Sequence, residues 1–235
     1  MSQNRAYVSI VSRQAGQLRF EMVQGDPSFR LHKFGTTYNT TKLPTADFTI
    51  AGRKLSTGRF DIEQIEIGDK ITAGVKTAQD TDFRLCFTGE VAHTELIQTS
   101  PEDADLMVHG VHPFWRWTEG VISMPERSGE RHLKDVLDQM AQSAGLGKNS
   151  VVVSEAADVT LTRVQASRIP AFHLVKFLFL KYGLYGMFEL DGTLSVRTYE
   201  EELQLFLTTP PVEIGGDNLR YPLRRMKGRR HDEKL

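Results

Sequence analysis

Hydrophobic and polar residues alternate with a period of two near the start of the chain. Residues 7–12 and 18–23 both follow this alternation. Because this is the period of a β-strand, the sequence predicts two strands with a short turn between them. Residues 25–54 are rich in Thr, Asp, Gly and Pro, and their aromatic residues are irregularly spaced. We expect a long loop there, with a single strand at residues 47–51.

The most regular alternation covers residues 61–97. Isoleucines lead into a Gly68-Asp69 turn, and the alternation beyond it covers residues 71–75 and 83–88, with a polar connection at residues 78–82 and a further stretch at residues 91–97. The pattern is typical of a meander of antiparallel strands with one buried face. Gly89 interrupts the alternation, and a glycine inside a strand predicts a bulge or a sharp bend.

Helical periodicity appears only after a further strand, which we expect at residues 105–111. Five apolar residues then recur at the spacing of one helix face: Leu133, Val136, Leu137, Met140 and Ala144. Ser128 is predicted to cap the start of this helix, and Gly145 to end it.

A second helix is expected over residues 171–182, because Pro170 is allowed in a first turn and Gly183 is a common helix terminator. The segment is apolar nearly all round, so we expect it to be buried. A β-hairpin should follow around Asp191-Gly192, since this dipeptide favours tight turns.

Composition is typical of a globular protein. Of the 235 residues, 40% are apolar and 25% are charged, which argues against disorder. The formal net charge is −1, so the chain has no overall field that attracts nucleic acid or membrane. The single cysteine, Cys86, excludes a disulfide framework within the chain.

The sequence predicts neither a membrane-spanning segment nor a signal peptide. The most apolar run, residues 172–180, is far shorter than the about 20 residues that span a bilayer. The N-terminal residues lack the apolar core of a signal peptide. We therefore expect the chain to be made and folded in the cytoplasm, and to act elsewhere only as part of a larger assembly.

Candidate acidic and metal-binding side chains are few and poorly clustered. Glu63, Glu66 and Asp69 lie close in sequence. Paired carboxylates can hydrolyse glycosides, but positions on a strand and turn more often form a solvated edge. His109 and His112 have no Cys or carboxylate cluster beside them, which makes a poor metal site. Two surface histidines at a strand end are the alternative.

The remaining candidates lack the neighbours that their chemistry needs. Cys86 lies within a predicted strand without a nucleophile signature, and Ser123 and Ser128 lie in no Gly-x-Ser-x-Gly motif. His173, on the apolar helix, is expected to be a partly buried core residue. The glycine pair at residues 215–216 lacks the Lys-Ser/Thr of a phosphate loop. We therefore predict no catalytic, cofactor-binding or metal site, and a structural protein rather than an enzyme.

Two segments are candidates for nucleic-acid contact. Residues 114–117, Phe-Trp-Arg-Trp, could stack on bases or sugars. Aromatic residues more often anchor cores, so we favour the interpretation that these indoles pin two regions of the chain together. Basic residues cluster at residues 224–230 and could contact phosphates, although a solvated terminus is the expectation.

Short motifs occur in a characteristic order along the chain. Residues 67–71 form an Ile-Gly-Asp turn, and residues 87–91 read Phe-Thr-Gly-Glu-Val. A helix ends at residues 142–146, and a second helix with its hairpin covers residues 172–199. Together these motifs resemble the late control protein D group of phage tail proteins. That group is similar to baseplate hub proteins of contractile tails and to the hub portion of type VI secretion spike proteins.

The resemblance covers most of the chain and implies an α+β, mainly β fold. It implies a tail-tube-like antiparallel β-barrel at residues 1–111, open to completion by later strands and joined to a smaller α+β domain at residues 112–200. Residues 201–235 would begin a second barrel or form a mobile basic tail. A complete second barrel would need roughly a hundred more residues. The chain is then either a shortened form or a compact version with a different stoichiometry.

The family also implies a ring-shaped hub in a phage tail or phage-tail-like injection particle, assembled in the bacterial host cytoplasm. The ring would contain three copies of the chain, or six. It would connect the tail tube protein to the spike or tip protein, with the tape measure protein as a further neighbour. DNA would pass through the lumen without specific binding, which suits a near-neutral chain.

Two other functions stay open at this point. A peptidoglycan-degrading, tail-associated hydrolase would use Glu63 or Glu66. A nucleic-acid-binding module would use the basic cluster and residues 114–117. We expect the function to depend on the edges of the barrel, because unpaired strand edges can join neighbouring copies.

Overall fold

The computed structural model describes residues 4–39, 42–77, 80–124, 130–162 and 165–208. The chain divides into two units, Met1–Tyr199 and Glu200–Leu235. Strands dominate the first unit and a few helices accompany them. The fold is therefore α+β and mainly β, as the sequence predicts.

A seven-stranded antiparallel sheet forms the first half of the chain. Its strands are β1 (Arg5–Ser12), β2 (Gly16–Val23), β3 (Leu31–Asn39), β4 (Lys42–Arg53), β5 (Lys70–Lys76), β6 (Arg84–Gln98) and β7 (Asp103–Val111). In space their order is β2-β1-β5-β6-β7-β4-β3, and the sheet curls into a half-barrel. The predicted meander is thus confirmed in β5 and β6, and the further strand expected at residues 105–111 is confirmed as β7.

The alternation of the sequence explains the buried face of this sheet. Val8 and Ile10 on β1, Ile71 on β5 and Phe87 on β6 are almost completely buried, and Phe48 on β4 joins them. These side chains belong to one apolar cluster on the concave side. Burial of alternate side chains holds the strands in register, because a slip by one residue would expose the whole set.

The long loop expected at residues 25–54 is wrong, because β3 and β4 occupy most of that segment. β3 pairs with a neighbour on one side only, and beyond Leu31 most of its side chains are exposed. Such a strand shows little apolar alternation, and its threonines are compatible with strand structure. Polar composition was therefore a poor guide to loop structure here.

The start of the predicted meander also differs. Asp61–Gln64 form a 3₁₀ helix rather than a strand, and Gly68 follows with φ +88°. The break expected at Gly89 is close to an observed one, since the register between β6 and β7 shifts between Val91 and His93. Gly89 itself allows close packing, because a Cβ there would lie 2.3 Å from the Val111 carbonyl oxygen.

The second part of the first unit mixes short strands with helices. Its elements are α1 (Arg116–Glu119), β8 (Val121–Met124), β9 (Arg131–His132), α2 (Leu133–Ser143), β10 (Val151–Val153), β11 (Thr160–Leu161), β12 (Ala166–Pro170), α3 (Ala171–Tyr182), β13 (Leu184–Phe188) and β14 (Leu194–Thr198). A second apolar cluster lies among them. The last helix, α4 (Tyr199–Thr208), begins where the first unit ends.

Both predicted helices and the hairpin are confirmed. α2 begins at Leu133 with His132 as its N-cap, whereas Ser128 lies outside the described residues. Gly145 follows α2 with φ +75°. α3 begins after Pro170 and ends at Gly183, which adopts the left-handed conformation. β13 and β14 pair as the expected hairpin.

Candidate assembly interface

The curled sheet has two unpaired edges. β2 and β3 each pair on one side, and among the described residues no ladder joins one to the other. An edge strand exposes backbone N–H and C=O groups that can pair with a strand of another chain. The concave face is filled by its own apolar cluster. The edges are therefore the parts of the sheet that remain available for pairing.

The chain itself tethers these edges at one end of the sheet. Residues 24–30 run from the end of β2 to the start of β3. The Arg30 guanidinium lies 5.1 Å from the centre of the Phe20 ring on β2, and its Nη2 donates to Asp61 Oδ1 at 2.8 Å. A short link, a cation–π contact and a charge-assisted hydrogen bond thus hold the two edges of the sheet together at this end.

The three candidate carboxylates support the local backbone. Glu63 Oε1 accepts from the Phe60 N–H at 2.8 Å. Asp69 is buried, and its carboxylate accepts from the Glu66 N–H at 2.9 Å and the Arg13 N–H at 3.3 Å. Glu66 accepts from the Gln14 side chain. The expected solvated edge is therefore wrong for Asp69, and each carboxylate has a bonding role in the turn.

The structure separates the two neighbouring histidines. His109 is half-buried, with its Nδ1 2.7 Å from Asp47 Oδ1. His112 is fully buried, so the prediction of two surface histidines is wrong for it. Its side chain points inward because β7 ends at Val111 and the chain there enters the second apolar cluster. Among the described residues, no group of three or more His, Cys, Asp or Glu is arranged to hold a metal ion.

Neither Cys86 nor Ser123 is set up as a nucleophile. Cys86 is half-buried on β6 with its Sγ 3.3 Å from the Ala73 carbonyl oxygen, and burial raises its pKa to about 11. Its thiol is therefore protonated at neutral pH. Ser123 Oγ accepts from the Arg168 N–H at 3.2 Å. Ser128, the glycine pair and the basic cluster lie outside the described residues.

The aromatic segment pins the two cores together, as we favoured from the sequence. Phe114 and Trp117 are fully buried, with ring centres 4.5 Å apart in a T-shaped contact. Trp115 is half-buried, and its indole N–H points to Glu90 Oε2 at 3.4 Å. Phe114 and Trp117 are therefore inaccessible for stacking on bases or sugars.

A buried ion pair reinforces this junction. Glu90, on β6, is 7% exposed. The Arg116 Nη2 donates to both of its oxygens, at 2.9 Å and 2.8 Å, and Nε donates at 3.2 Å. Arg116 Nη1 also donates to the Ala144 carbonyl oxygen at 3.1 Å. One guanidinium thus connects the sheet, α1 and the end of α2.

One side of α3 is apolar but exposed, contrary to the expectation of a buried helix. Phe177 is 58% exposed and Leu180 68% exposed. His173 is exposed rather than part of the core, and so are Lys176 and Lys181. These polar residues recur with helical spacing, and that recurrence is the sequence signal that marks the exposed side. We call the exposed side chains of this helix side the α3 face; they are Phe177, Leu180, His173, Lys176 and Lys181.

Helix α4 was not predicted, yet its sequence carries a helical pattern. Tyr199, Leu203 and Phe206 follow i, i+4 and i+7 spacing, and Leu207 extends the stripe. All four are more than half exposed. Glu200 stands in the first turn, where a negative charge suits the helix dipole. We call the surface formed by Glu200 and these four apolar side chains the α4 face; the four are Tyr199, Leu203, Phe206 and Leu207.

No helix among the described residues is long and apolar enough to span a membrane. No protein-family model and no curated protein matches the sequence. Solved structures do match it. The 43 kDa tail protein of prophage MuSo2 from Shewanella oneidensis has TM-score 0.57 and 14% identity, over 83% of this chain and 55% of that one.

Two further structures share the fold. The tail protein from Neisseria meningitidis MC58 has TM-score 0.55 and 14% identity, over 88% of this chain and 53% of that one. A Francisella PdpA–VgrG complex has TM-score 0.52 and 10% identity, over 89% of this chain and 31% of that one. This chain thus spans about half the length of the two tail proteins. At these identities the similarity establishes the fold alone, and at that level the resemblance is confirmed.

Proposed function

We propose that this chain, which has the fold of phage tail proteins, is a structural hub protein of a phage tail or phage-tail-like injection particle. It forms a ring that connects the tail tube to the baseplate spike or tip. The half-barrel is the observation that carries the proposal, because its concave face is filled and, among the described residues, its two edges have no partner strand. The similarity to two tail proteins supports a structural role in a tail.

In this proposal, residues 1–111 form the tube-like part of the hub and residues 112–200 form the α+β part. Residues 201–208 are helical, and the assignment of the remainder to a second barrel or a basic tail concerns residues outside the described part of the chain. The buried Glu90–Arg116 pair supports a fixed angle between the first two parts. Such rigidity suits a ring, because each copy must present its contact surfaces at the same angle for the ring to close.

Ring formation requires a repeated head-to-tail contact between identical copies. Free strand edges supply one kind of contact, since their backbone groups can pair across a boundary between chains. Three or six copies would match the tail tube protein on one side and the spike or tip protein on the other. The net charge of −1 suits a lumen through which DNA passes without specific binding.

The proposal assigns no catalysis to the chain. Glu63 and Asp69 accept hydrogen bonds from backbone N–H groups, and Glu66 accepts one from a side chain. Peptidoglycan zymography tests this point. We expect no clear band, and a band that disappears in both Glu63→Gln and Glu66→Gln would identify a hydrolase instead.

The ring itself is tested by native mass spectrometry of the purified chain. We expect one species with three or six copies. Negative-stain images should show rings, both alone and capping the end of the tail tube. A chain that stays monomeric at every accessible concentration and never joins a tube end would contradict the proposal.

A further inference from the structure

The α3 face and the α4 face have complementary chemistry. The α3 face presents Phe177 and Leu180 between basic side chains, and the helix contains no acidic residue. The α4 face presents Leu203 and Phe206 after Glu200, and that helix contains no basic residue. One surface is apolar and basic, and the other is apolar and acidic. Complementary charge favours this pairing over the pairing of either face with itself.

The spacing of the two faces also matches. Phe177 and Leu180 are separated by three positions, and so are Leu203 and Phe206, so each helix presents its apolar pair within one turn. In an antiparallel arrangement, Lys181 near the end of α3 comes opposite Glu200 at the start of α4. The two helix dipoles are then antiparallel, which places the positive end of each beside the negative end of the other.

We propose that the α3 face of one copy binds the α4 face of a second copy. This inference rests on the proposed ring and names one of its contacts. Within the single chain, Phe177, Leu180, Leu203 and Phe206 each keep more than half of their surface exposed. Exposed apolar groups arranged as a patch are typical of interaction sites.

A contact of this kind is heterologous, because two different surfaces meet. Every copy carries one of each, so the contact repeats from copy to copy until a ring closes or a filament grows. Two helix faces alone cover less area than a standard interface of about 800 Å² per partner. The contact therefore acts together with the strand edges and fixes the direction in which copies follow one another.

Two double variants test the contact. Phe177→Ser with Leu180→Ser removes the α3 face, and Leu203→Ser with Phe206→Ser removes the α4 face. All four side chains are exposed, so the melting temperature by circular dichroism should stay near that of the wild type. We expect each variant to need at least about tenfold more protein than the wild type to form the ring.

A matched control replaces exposed apolar residues elsewhere. Ile67→Ser with Val152→Ser changes side chains that are 64% and 53% exposed and belong to neither face. We expect this control to form rings as the wild type does. Charge reversal gives a second readout: Lys181→Glu and Glu200→Lys should each weaken assembly, and their combination should restore it.

Mixing distinguishes a contact between copies from one within a copy. The α3 variant keeps an intact α4 face, and the α4 variant keeps an intact α3 face. At a protein concentration at which each variant alone is monomeric, a mixture of the two should therefore form a one-to-one dimer and no ring, seen by native mass spectrometry. If both variants are monomeric and their mixture stays monomeric, the contact between copies is wrong.

The outcomes also separate this inference from the proposed function. Variants that assemble as readily as the wild type would overturn the helix contact and leave the hub proposal standing. A wild type that neither self-assembles nor binds a tube end would overturn both.

Discussion

At the scale of single residues, His112 is the most constrained side chain of the junction. Its Nε2 lies 3.1 Å from the Glu189 carbonyl oxygen and must carry the hydrogen, because a carbonyl only accepts. Its Nδ1 accepts from the Phe114 N–H at 3.4 Å. Both nitrogens are thus satisfied in the neutral form. Burial lowers the pKa of His112 to about 4.

This lowered pKa predicts a loss of stability in mild acid. The unfolded chain takes up a proton on His112 as pH falls below about 6.5, while the folded chain resists protonation until about pH 4. The contribution is therefore fully present above pH 6.5 and declines between pH 6.5 and 4. At ~1.4 kcal/mol per pKa unit, the loss is about 3 kcal/mol.

Urea unfolding at pH 7, 5.5 and 4.5 measures this loss, with His112→Gln as the comparison. A glutamine amide can still donate to Glu189, but it does not titrate. The variant should lose less stability than the wild type as pH falls. His109→Gln serves as the control at a half-buried site, and equal pH slopes for the wild type and His112→Gln would contradict the prediction.

The Glu90–Arg116 pair predicts unequal effects of its two partners. The Arg116 side chain is 31% exposed, whereas that of Glu90 is 9% exposed. Arg116→Met leaves a buried charge without its partner and should cost about 3 kcal/mol of unfolding free energy. Glu90→Gln leaves an arginine that water can reach and should cost less.

Denaturant titration of both variants and of the double variant checks this ranking. The double variant should be more stable than Arg116→Met alone, since it contains no unpaired buried charge. The Arg84–Asp80 pair provides the control, because the Arg84 side chain is 77% exposed and Arg84→Ala should therefore change stability much less than Arg116→Met. A larger cost for Glu90→Gln than for Arg116→Met would contradict the argument.

At the scale of elements, burial on one face decided what the sequence could predict. The central strands and α2 have strong periodicity, whereas α3 is a nearly continuous apolar run, and the terminators Gly145 and Gly183 of the two helices adopt positive φ. β3 was missed because an edge strand buries few side chains. The exposed side of α3 was missed because a nearly continuous apolar run predicts a buried helix, whereas Phe177 is 58% exposed and Leu180 68% exposed.

Gly89 and Gly35 provide a matched pair of substitutions within the sheet. A Cβ at Gly89 would lie 2.3 Å from the Val111 carbonyl oxygen and 2.4 Å from the Phe87 ring, whereas one at Gly35 meets nothing within 4 Å. Gly89→Ala should therefore destabilise the fold by about 1–3 kcal/mol through overpacking. Gly35→Ala should be close to neutral, and thermal unfolding of both variants tests the difference. Equal melting temperatures would show that β6 and β7 can move apart at little cost.

At the scale of the whole molecule, the two apolar clusters lie in one unit and share the junction around Glu90, His112 and Arg116. Both tryptophans of the chain, Trp115 and Trp117, stand at this junction. Their fluorescence therefore reports on the contact between the clusters. Hydrogen exchange of the backbone amides in β5 and β6 reports on the strands of the sheet.

We expect the two signals to change at the same denaturant concentration, because clusters joined through buried groups unfold together. In Arg116→Met the fluorescence transition should come first. Separate transitions in the wild type would instead mean that the clusters unfold independently and that the junction couples them weakly.

The link at residues 24–30 holds the two edges of the half-barrel together at one end, so that the sheet can open only at the other end. The segment between Val23 and Leu31 cannot stretch beyond about 28 Å at ~3.5 Å per residue, and Arg30 holds it against Phe20. This end acts as a covalent hinge. A strand inserted between β2 and β3 at the opposite end would widen the gap there and put tension on the link at residues 24–30. Tension that pulls the two edges apart would then be borne by peptide bonds at one end and by hydrogen bonds at the other.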